Sequence, residues 1–196
     1  LHATDVRAPE RHIVLLRIRQ HEFEREVVGH PIAEVDLGNP AILDIDVHHG
    51  NGTEAIFYDR ADVLTVSIHA HPKRFYPFFW GHADERGEGR GLGYNLNLPL
   101  PRKTGDEGFM AALAPAMQRI RAFAPDALVI ALGLDAHESD PFGGLSVTTR
   151  GFSGIGSLIG AAKLPTVLVQ EGGYKNEALG ANLISFLAGF RKALGT

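Results

Sequence analysis

The chain has 196 residues, and its 19 lysines and arginines against 23 aspartates and glutamates give a net charge of −4. A hydrophobic fraction of 44% and a charged fraction of 21% suit one domain with a real core, and they exclude disorder or coiled coil over most of the chain. The absence of cysteine excludes a disulfide framework, cysteine-ligated zinc and a thiol nucleophile.

The distribution of charge and apolar residues also limits the partners. The apolar runs stop short of a membrane span and no leader pattern opens the sequence, so we expect a cytoplasmic protein with no membrane partner. No block of basic residues is present to neutralise phosphates, so we expect no nucleic-acid partner.

Short aliphatic segments alternate with helical patterns along the chain. The apolar character of these segments is nearly continuous, which is typical of strands buried on both faces of a parallel sheet. The predicted strands are Ala41–Val47, Val63–His69, Ala127–Leu132 and Thr166–Gln170. A capping box of Thr104 and Glu107 predicts a helix that Pro115 should kink or break, and further helices are predicted over Phe152–Ala162 and Asn176–Leu194. This alternation predicts an α/β fold with a mainly parallel central sheet.

Two regions fit this scheme poorly. Residues 9–28 are compatible with a helix, but the cluster Ile13–Leu16 is equally typical of a strand. Residues 71–93 form a long, aromatic, glycine-rich segment, and a loop of this size in a compact domain is usually functional. Its acidic residues Asp84, Glu85 and Glu88 either attract a cationic ligand or form a solvated surface.

Candidate chemical residues gather where the predicted strands end. Alternation along the first strand places Asp44, Asp46 and His48 on one face, where two carboxylates are costly unless a cation neutralises them. Asp135 follows the third strand and completes a set of three nitrogen and oxygen ligands with Asp46 and His48, which leaves room for water and a substrate carbonyl. The alternative is a hydrogen-bonded Asp–His pair without a metal.

The second and fourth strands contribute two further candidates. Tyr174 follows Gly172 and Gly173 after the fourth strand, where its phenol could donate to an oxyanion, although an amphipathic surface tyrosine is the alternative. Ser67 on the second strand could join Asp44 around a hard monovalent ion, although a buried core serine is the alternative.

Five segments follow one another along the chain as a set of motifs: AILDIDVHHGNGTEAIFY (41–58), VLTVSIH (63–69), GLGYNLNLPLP (91–101), LGLDAHESDPFGGLSVTTRGF (132–152) and QEGGY (170–174). Together they resemble the histone deacetylase superfamily, and most of all its bacterial class II-like deacetylases and acetylpolyamine amidohydrolases. The resemblance covers about positions 41–190. It implies an arginase/deacetylase-type three-layer α/β fold and zinc-dependent removal of acetyl from acetylated amines, either acetyl-lysine in protein or acetylpolyamine.

The resemblance also implies roles for individual residues. One Zn²⁺ per chain would be held by Asp46, His48 and Asp135, and Tyr174 would be the catalytic residue that stabilises the tetrahedral intermediate. A structural K⁺ would be held by the side chains of Asp44 and Ser67 and by the backbone carbonyls of Asp46, His48 and Ile68. Gly133 and Gly173 would help to line the acyl-lysine channel.

One family motif has no counterpart in this sequence. The Gly-His-His-Ala motif, whose histidines move the protons, is absent, and Gly29-His30-Pro31 offers a single histidine in another context. We therefore expect residues 1–196 to be a single, incomplete deacetylase-like domain that lacks family sequence before Ala41 and hydrolyses its substrate slowly. The alternatives are a non-catalytic metal-containing module that binds acetylated amines and, ranked last, a manganese ureohydrolase. The physiological substrate and any oligomer stay open.

Overall fold

A computed structural model describes the backbone of residues 13–17 and the whole of residues 37–174 and 177–195. The described strands form one six-stranded sheet in the order β1-β6-β5-β2-β3-β4, and every ladder in it is parallel, as predicted. The strands are β1 (Ile13–Arg17), β2 (Pro40–Asp44), β3 (Leu64–Ala70), β4 (Asn95–Leu100), β5 (Ala127–Leu132) and β6 (Thr166–Gln170).

Four α-helices accompany the sheet in the described part of the chain. Because β–helix–β crossovers are right-handed, the helix between β2 and β3 lies on the opposite face from those that precede and follow β5. None of the described helices is long and apolar enough to span a bilayer. The helices are α1 (Asn51–Phe57), α2 (Asp106–Phe123), α3 (Thr149–Gly160) and α4 (Leu179–Leu194).

The predicted strands are largely confirmed. The bounds of β5 and β6 are those predicted, whereas β2 ends at Asp44, earlier than expected. The strand β4 was missed because the polar residues Asn95 and Asn97 interrupt its apolar pattern; both side chains are buried in hydrogen bonds. Of the two alternatives for residues 9–28, the described part, Ile13–Arg17, is a strand.

The predicted capping box of α2 and a break at Pro115 are wrong, whereas a kink at Pro115 stays a prediction. The hydroxyl of Thr104 donates to the carbonyl of Pro101 at 2.6 Å, so Gly105 occupies the N-cap position without a side-chain cap. The helix also continues through Pro115 without interruption. A proline removes one backbone hydrogen bond, and here Leu113 and Met117, both fully buried, anchor the helix in the core on either side of it.

The sheet positions a ligand site between β2 and β5. The chain leaves β2 toward β3 on one side and leaves β5 toward β6 on the other, so the direction of connection reverses between these neighbours. In open parallel sheets, ligands bind outside the carboxyl ends of the strands at such a reversal. The segments that follow Asp44 and Leu132 therefore enclose the expected position of the site.

Candidate metal centre at the carboxyl edge of the sheet

Asp46 and His48 lie just beyond the end of β2. The amide of Ile45 still donates to the carbonyl of Ala131 on β5 at 3.0 Å, which keeps this segment against the sheet. Two backbone amides then orient the carboxylate of Asp46: His48 donates to Oδ1 at 2.8 Å and Gly172 donates to Oδ2 at 2.9 Å. The segments after β2 and β6 are thus joined through one carboxylate.

Asp135 reaches the same place from the end of β5. Its Oδ1 accepts the amide of Val47 at 3.0 Å. Its Oδ2 is buried and accepts no well-formed hydrogen bond in the described part of the chain, although Nδ1 of His48 lies 3.4 Å away. Gly133 makes this approach possible, because a Cβ there would collide with the Cα of Asp46. A buried carboxylate oxygen without a donor is costly unless a cation comes to it.

The structure brings together the three side chains predicted to hold zinc. Nδ1 of His48 lies 3.1 Å from Oδ1 of Asp46 and 3.4 Å from Oδ2 of Asp135. One ligand atom from each residue can be chosen so that all lie within 4.8 Å of one another. Tetrahedral zinc with bonds of about 2.0–2.2 Å has ligand atoms about 3.3–3.6 Å apart. The donor set and its spacing therefore fit a zinc ion.

The electrostatics of these residues favour a cation. Burial lowers the pKa of His48, but the adjacent carboxylates of Asp135 and Asp46 outweigh it and raise the pKa to about 10. Burial and the charge of Asp46 raise the pKa of Asp135 to about 7 and that of Asp44 well above its usual range. Two buried carboxyl groups thus face a single imidazole, and a third, that of Asp44, adds its charge nearby, an imbalance that a divalent ion would remove.

Aromatic rings enclose the predicted ligand His48. Phe75 stacks on its imidazole with centroids 5.1 Å apart, and the rings of Tyr76 and Phe142 meet it edge-on at 5.8 and 5.6 Å. These rings line a cavity of about 700 Å³ together with Asp46 and Tyr174. Phe75 and Tyr76 belong to the long segment predicted to be functional, but nothing in the spacing of the sequence distinguished them or Phe142.

The two glycines predicted to line the channel, Gly133 and Gly173, adjoin residues of the cavity wall. Gly172 contributes to the wall, and a Cβ there would collide with the carboxylates of Asp135 and Asp46. Gly173 has a φ of +138°, and a Cβ there would contact Leu179. Neither Gly133 nor Gly173 contributes to the cavity wall as it is described, so their role in a substrate channel stays a prediction.

The residues predicted to hold potassium are close neighbours in the sheet. Asp44 on β2 is in register with Ser67 on β3, and both are more than 90% buried. Oδ1 of Asp44 accepts the amide of Asp46 at 2.9 Å, while the hydroxyl of Ser67 lies 2.8 Å from Nδ1 of His69. The potassium site stays a prediction. The weak candidate for a general base, His30, lies outside the described residues.

A second group of one histidine and two glutamates was not predicted. His49, Glu54 and Glu85 also offer ligand atoms within 4.8 Å of one another. Here, however, donors already occupy the carboxylates: Oε2 of Glu54 faces Nε2 of His49 at 3.1 Å and accepts the side-chain amides of Asn95 and Asn97 at 2.7 Å. This group is a hydrogen-bonded network, and its chemistry does not call for a metal ion.

Glu85 has a structural role in that network. Its Oε2 accepts the backbone amides of Gly81 and His82 at 2.6 and 2.9 Å and the side-chain amide of Asn97 at 3.2 Å. It thereby fixes the aromatic segment to β4. The alternative of a purely solvated acidic surface is wrong for this residue, because three donors converge on it.

The comparisons with known proteins agree with this architecture. A sequence model of the histone deacetylase domain matches residues 32–190. The chain is 54% identical over 150 residues to an acetylpolyamine amidohydrolase of Burkholderia pseudomallei, with 76% of this chain and 44% of that protein covered. It is 43% identical to histone deacetylase 8 of Arabidopsis thaliana over 148 residues, with 68% and 38% covered.

A solved structure shares the fold. The crystal structure of an acetylpolyamine aminohydrolase from Burkholderia pseudomallei superposes with a TM-score of 0.78 at 52% identity, and the match covers 80% of this chain and 46% of that one. The predicted deacetylase-type fold is thereby confirmed. The chain spans less than half the length of these relatives. On the extent of the sequence match, the chain belongs to the histone deacetylase family.

Proposed function

We propose that this chain carries the metal-binding half of a zinc-dependent amidohydrolase that removes acetyl groups from acetylated amines. The observation that supports it most is the charge imbalance at the sheet edge. Asp46, His48 and Asp135 converge there, and an oxygen of Asp135 is buried without a hydrogen bond in the described chain. Three nitrogen and oxygen ligands, none of them cysteine, are the donor set of a catalytic rather than a structural zinc site.

The residues around that centre have different roles in the proposed reaction. Bound zinc would supply Lewis-acid polarisation of a carbonyl and would acidify water. Backbone amides hold Asp46 and Asp135, so these ligands are oriented before any metal arrives. The phenol of Tyr174, on the wall of the same cavity, would donate a hydrogen bond to the substrate oxygen as negative charge develops on it.

The proposed site has no identified residue for proton transfer. The sequence contains no Gly-His-His-Ala segment. A positioned general base contributes about 10²–10⁴-fold to the rate, so the chain by itself should turn over slowly. The same observation supports a second candidate function, in which the cavity binds acetylated amines without hydrolysing them.

The substrate class rests on the relatives and on the shape of the cavity. Curated relatives are named acetylpolyamine amidohydrolases and histone deacetylases. Phe75, Tyr76 and Phe142 give the cavity aromatic walls that suit an acylated alkyl chain. Both a small acetylated amine and acetyl-lysine in protein fit this class. We also propose a structural potassium ion at Asp44 and Ser67, because oxygen ligands suit that ion.

The test is hydrolysis by the zinc-loaded protein of an N-acetylated diamine and of an acetyl-lysine peptide. We expect the protein to release acetate slowly. A chelator should stop this hydrolysis and added zinc should restore it. The substitution Tyr174→Phe should lower the rate of hydrolysis by about 10²-fold or more. Binding of both compounds without hydrolysis would support the non-catalytic module instead. Hydrolysis that is indifferent to the chelator would contradict the proposed metal chemistry.

A further inference from the structure

A buried carboxylate lies beside the three-ligand group without belonging to it. Asp140, in the loop between β5 and α3, is only 5% exposed. Its amide donates to the carbonyl of His137 and its carbonyl accepts the amide of Gly143, each at 3.0 Å. Its Oδ1 accepts the amide of Phe142 at 2.9 Å, which closes a tight local turn.

The same carboxylate also reaches the segment after β6. The backbone amide of Tyr174 donates a hydrogen bond to Asp140. The side chains above these two amides touch: the rings of Phe142 and Tyr174 meet edge-on at 4.6 Å, and Phe142 also contacts the ring of His48 at 5.6 Å. One carboxylate therefore links a residue of the cavity wall to the proposed oxyanion donor.

A local turn alone does not account for a carboxylate at this position. Oδ2 of Asp140 is buried and has no hydrogen-bond partner among the described residues, and burial raises the pKa of the group. An aspartate that only closes a turn does so equally well at the surface, where its charge stays hydrated. The hydrogen bond from the amide of Tyr174 accounts for the buried position of Asp140, which the turn alone does not.

We infer that Asp140 is a positioning residue: by accepting the amides of Phe142 and Tyr174, it holds the Tyr174 ring toward the cavity and against Phe142. This rests on the proposed function of Tyr174. Asp140 is not one of the three proposed ligands and does not line the cavity, so it acts through the residues whose amides it accepts, Tyr174 above all. Loss of its carboxylate should misplace the phenol, and a displacement of about 1 Å can cost about 10²-fold in rate.

The kinetic test uses zinc-loaded protein and compares Asp140→Ala with Asp140→Asn, which keeps an acceptor oxygen. We expect Asp140→Ala to lower kcat about 10–100-fold with KM within about threefold, and Asp140→Asn to stay within about threefold of the original kcat. In a Tyr174→Phe background, Asp140→Ala should have little further effect, because the group it positions is gone.

Asp106→Ala is the matched control. Asp106 also accepts a backbone amide from a distant segment, that of Thr148 at 2.8 Å, but it does not contribute to the cavity wall. This variant should lower the melting temperature and leave kcat unchanged. Equal losses of kcat from Asp140→Ala with and without the Tyr174 hydroxyl would overturn the inference, and so would an Asp140→Asn enzyme as impaired as Asp140→Ala.

A second readout does not depend on hydrolysis, so it separates this inference from the proposed function. The chain has four tyrosines. Fluorotyrosine labelling should give four ¹⁹F resonances, with that of Tyr174 assigned by its loss in Tyr174→Phe. Asp140→Ala should shift or broaden this resonance and leave those of Tyr58 and Tyr94 in place, whereas Asp140→Asn should preserve it. A Tyr174 resonance unmoved by Asp140→Ala overturns the inference, even in a protein that hydrolyses nothing.

Discussion

Two groups of one histidine and two carboxylates lie close together in this molecule, and they differ in what already surrounds the carboxylates. In the group of Asp46, His48 and Asp135, an oxygen of Asp135 is buried with no hydrogen bond from the described residues. In the group of His49, Glu54 and Glu85, amides from backbone and side chains converge on both glutamates. Composition and spacing are alike, so they do not decide which group takes a metal.

The difference shows that the partners of a ligand atom determine its chemistry. An amide donor stabilises the charge of a buried carboxylate and fixes its position, as Asn95 and Asn97 do for Glu54. Where donors are too few, the charge of one carboxylate raises the pKa of another, as Asp46 does for Asp135, and both carboxylates raise the pKa of the adjacent imidazole of His48. A site of the second kind gains most from a divalent cation.

The largest expected effect is on zinc binding. Asp135→Asn removes a ligand charge while preserving the side-chain shape, and it should weaken zinc binding by at least about 100-fold, more than the loss of an outer partner of a ligand usually does. Glu85→Gln should still bind one zinc per chain. Elemental analysis after dialysis against graded chelator measures both. Equal loss of zinc from Asp135→Asn and Glu85→Gln would contradict the proposal that only the first group binds the metal.

The stability of the metal-free protein should depend on the second group more than on the first, the reverse of zinc binding. Glu54→Ala leaves the donors of His49, Asn95 and Asn97 facing an empty space, and it should lower the free energy of unfolding of metal-free protein by about 2–4 kcal/mol. Asp135→Asn, which removes a poorly compensated buried charge, should be neutral or stabilising without metal. Urea unfolding measures the difference, with Glu88→Ala at an exposed position as the control. Strong destabilisation by Asp135→Asn would contradict the charge argument.

A smaller effect follows from the close approach of Gly172. An added Cβ would collide with the carboxylates of Asp46 and Asp135, so Gly172→Ala should displace them and weaken zinc binding about tenfold, or about 1.4 kcal/mol. Gly154→Ala is the matched control, because its Cβ would meet only Met110 at an ordinary 3.9 Å. Zinc titration of both variants decides the matter. Unchanged affinity in Gly172→Ala would mean that the ligands can move without loss.

The sequence predicted the first group and missed the second for a physical reason. Asp46, His48 and Asp135 follow strands whose apolar runs are plain, and the carboxyl ends of parallel strands meet at one edge. The second group depends on where residues 71–93 return to the sheet, and no periodicity governs that segment. The strand β4 completes the network and carries Asn95 and Asn97. These two polar residues donate to Glu54, and they also interrupt the apolar pattern by which the sequence would have predicted the strand.

The smallest effect concerns pH and again separates the groups. Burial raises the pKa of Glu54, but hydrogen bonds from His49, Asn97 and Asn95 outweigh it and hold the pKa below its usual value of 4.5. A carboxyl whose pKa is lower in the folded state contributes stability above its unfolded pKa and loses it as the pH falls through the folded one. Metal-free protein should therefore lose stability below about pH 4.5, and Glu54→Gln, which does not titrate, should show a shallower loss, by about 1 kcal/mol or less at pH 3.5. Urea unfolding between pH 3 and 6 measures how steeply the free energy of unfolding falls with pH, with Glu88→Gln as the exposed control. If Glu54→Gln and Glu88→Gln changed this pH dependence equally, the network would give Glu54 no more stabilisation than solvent does.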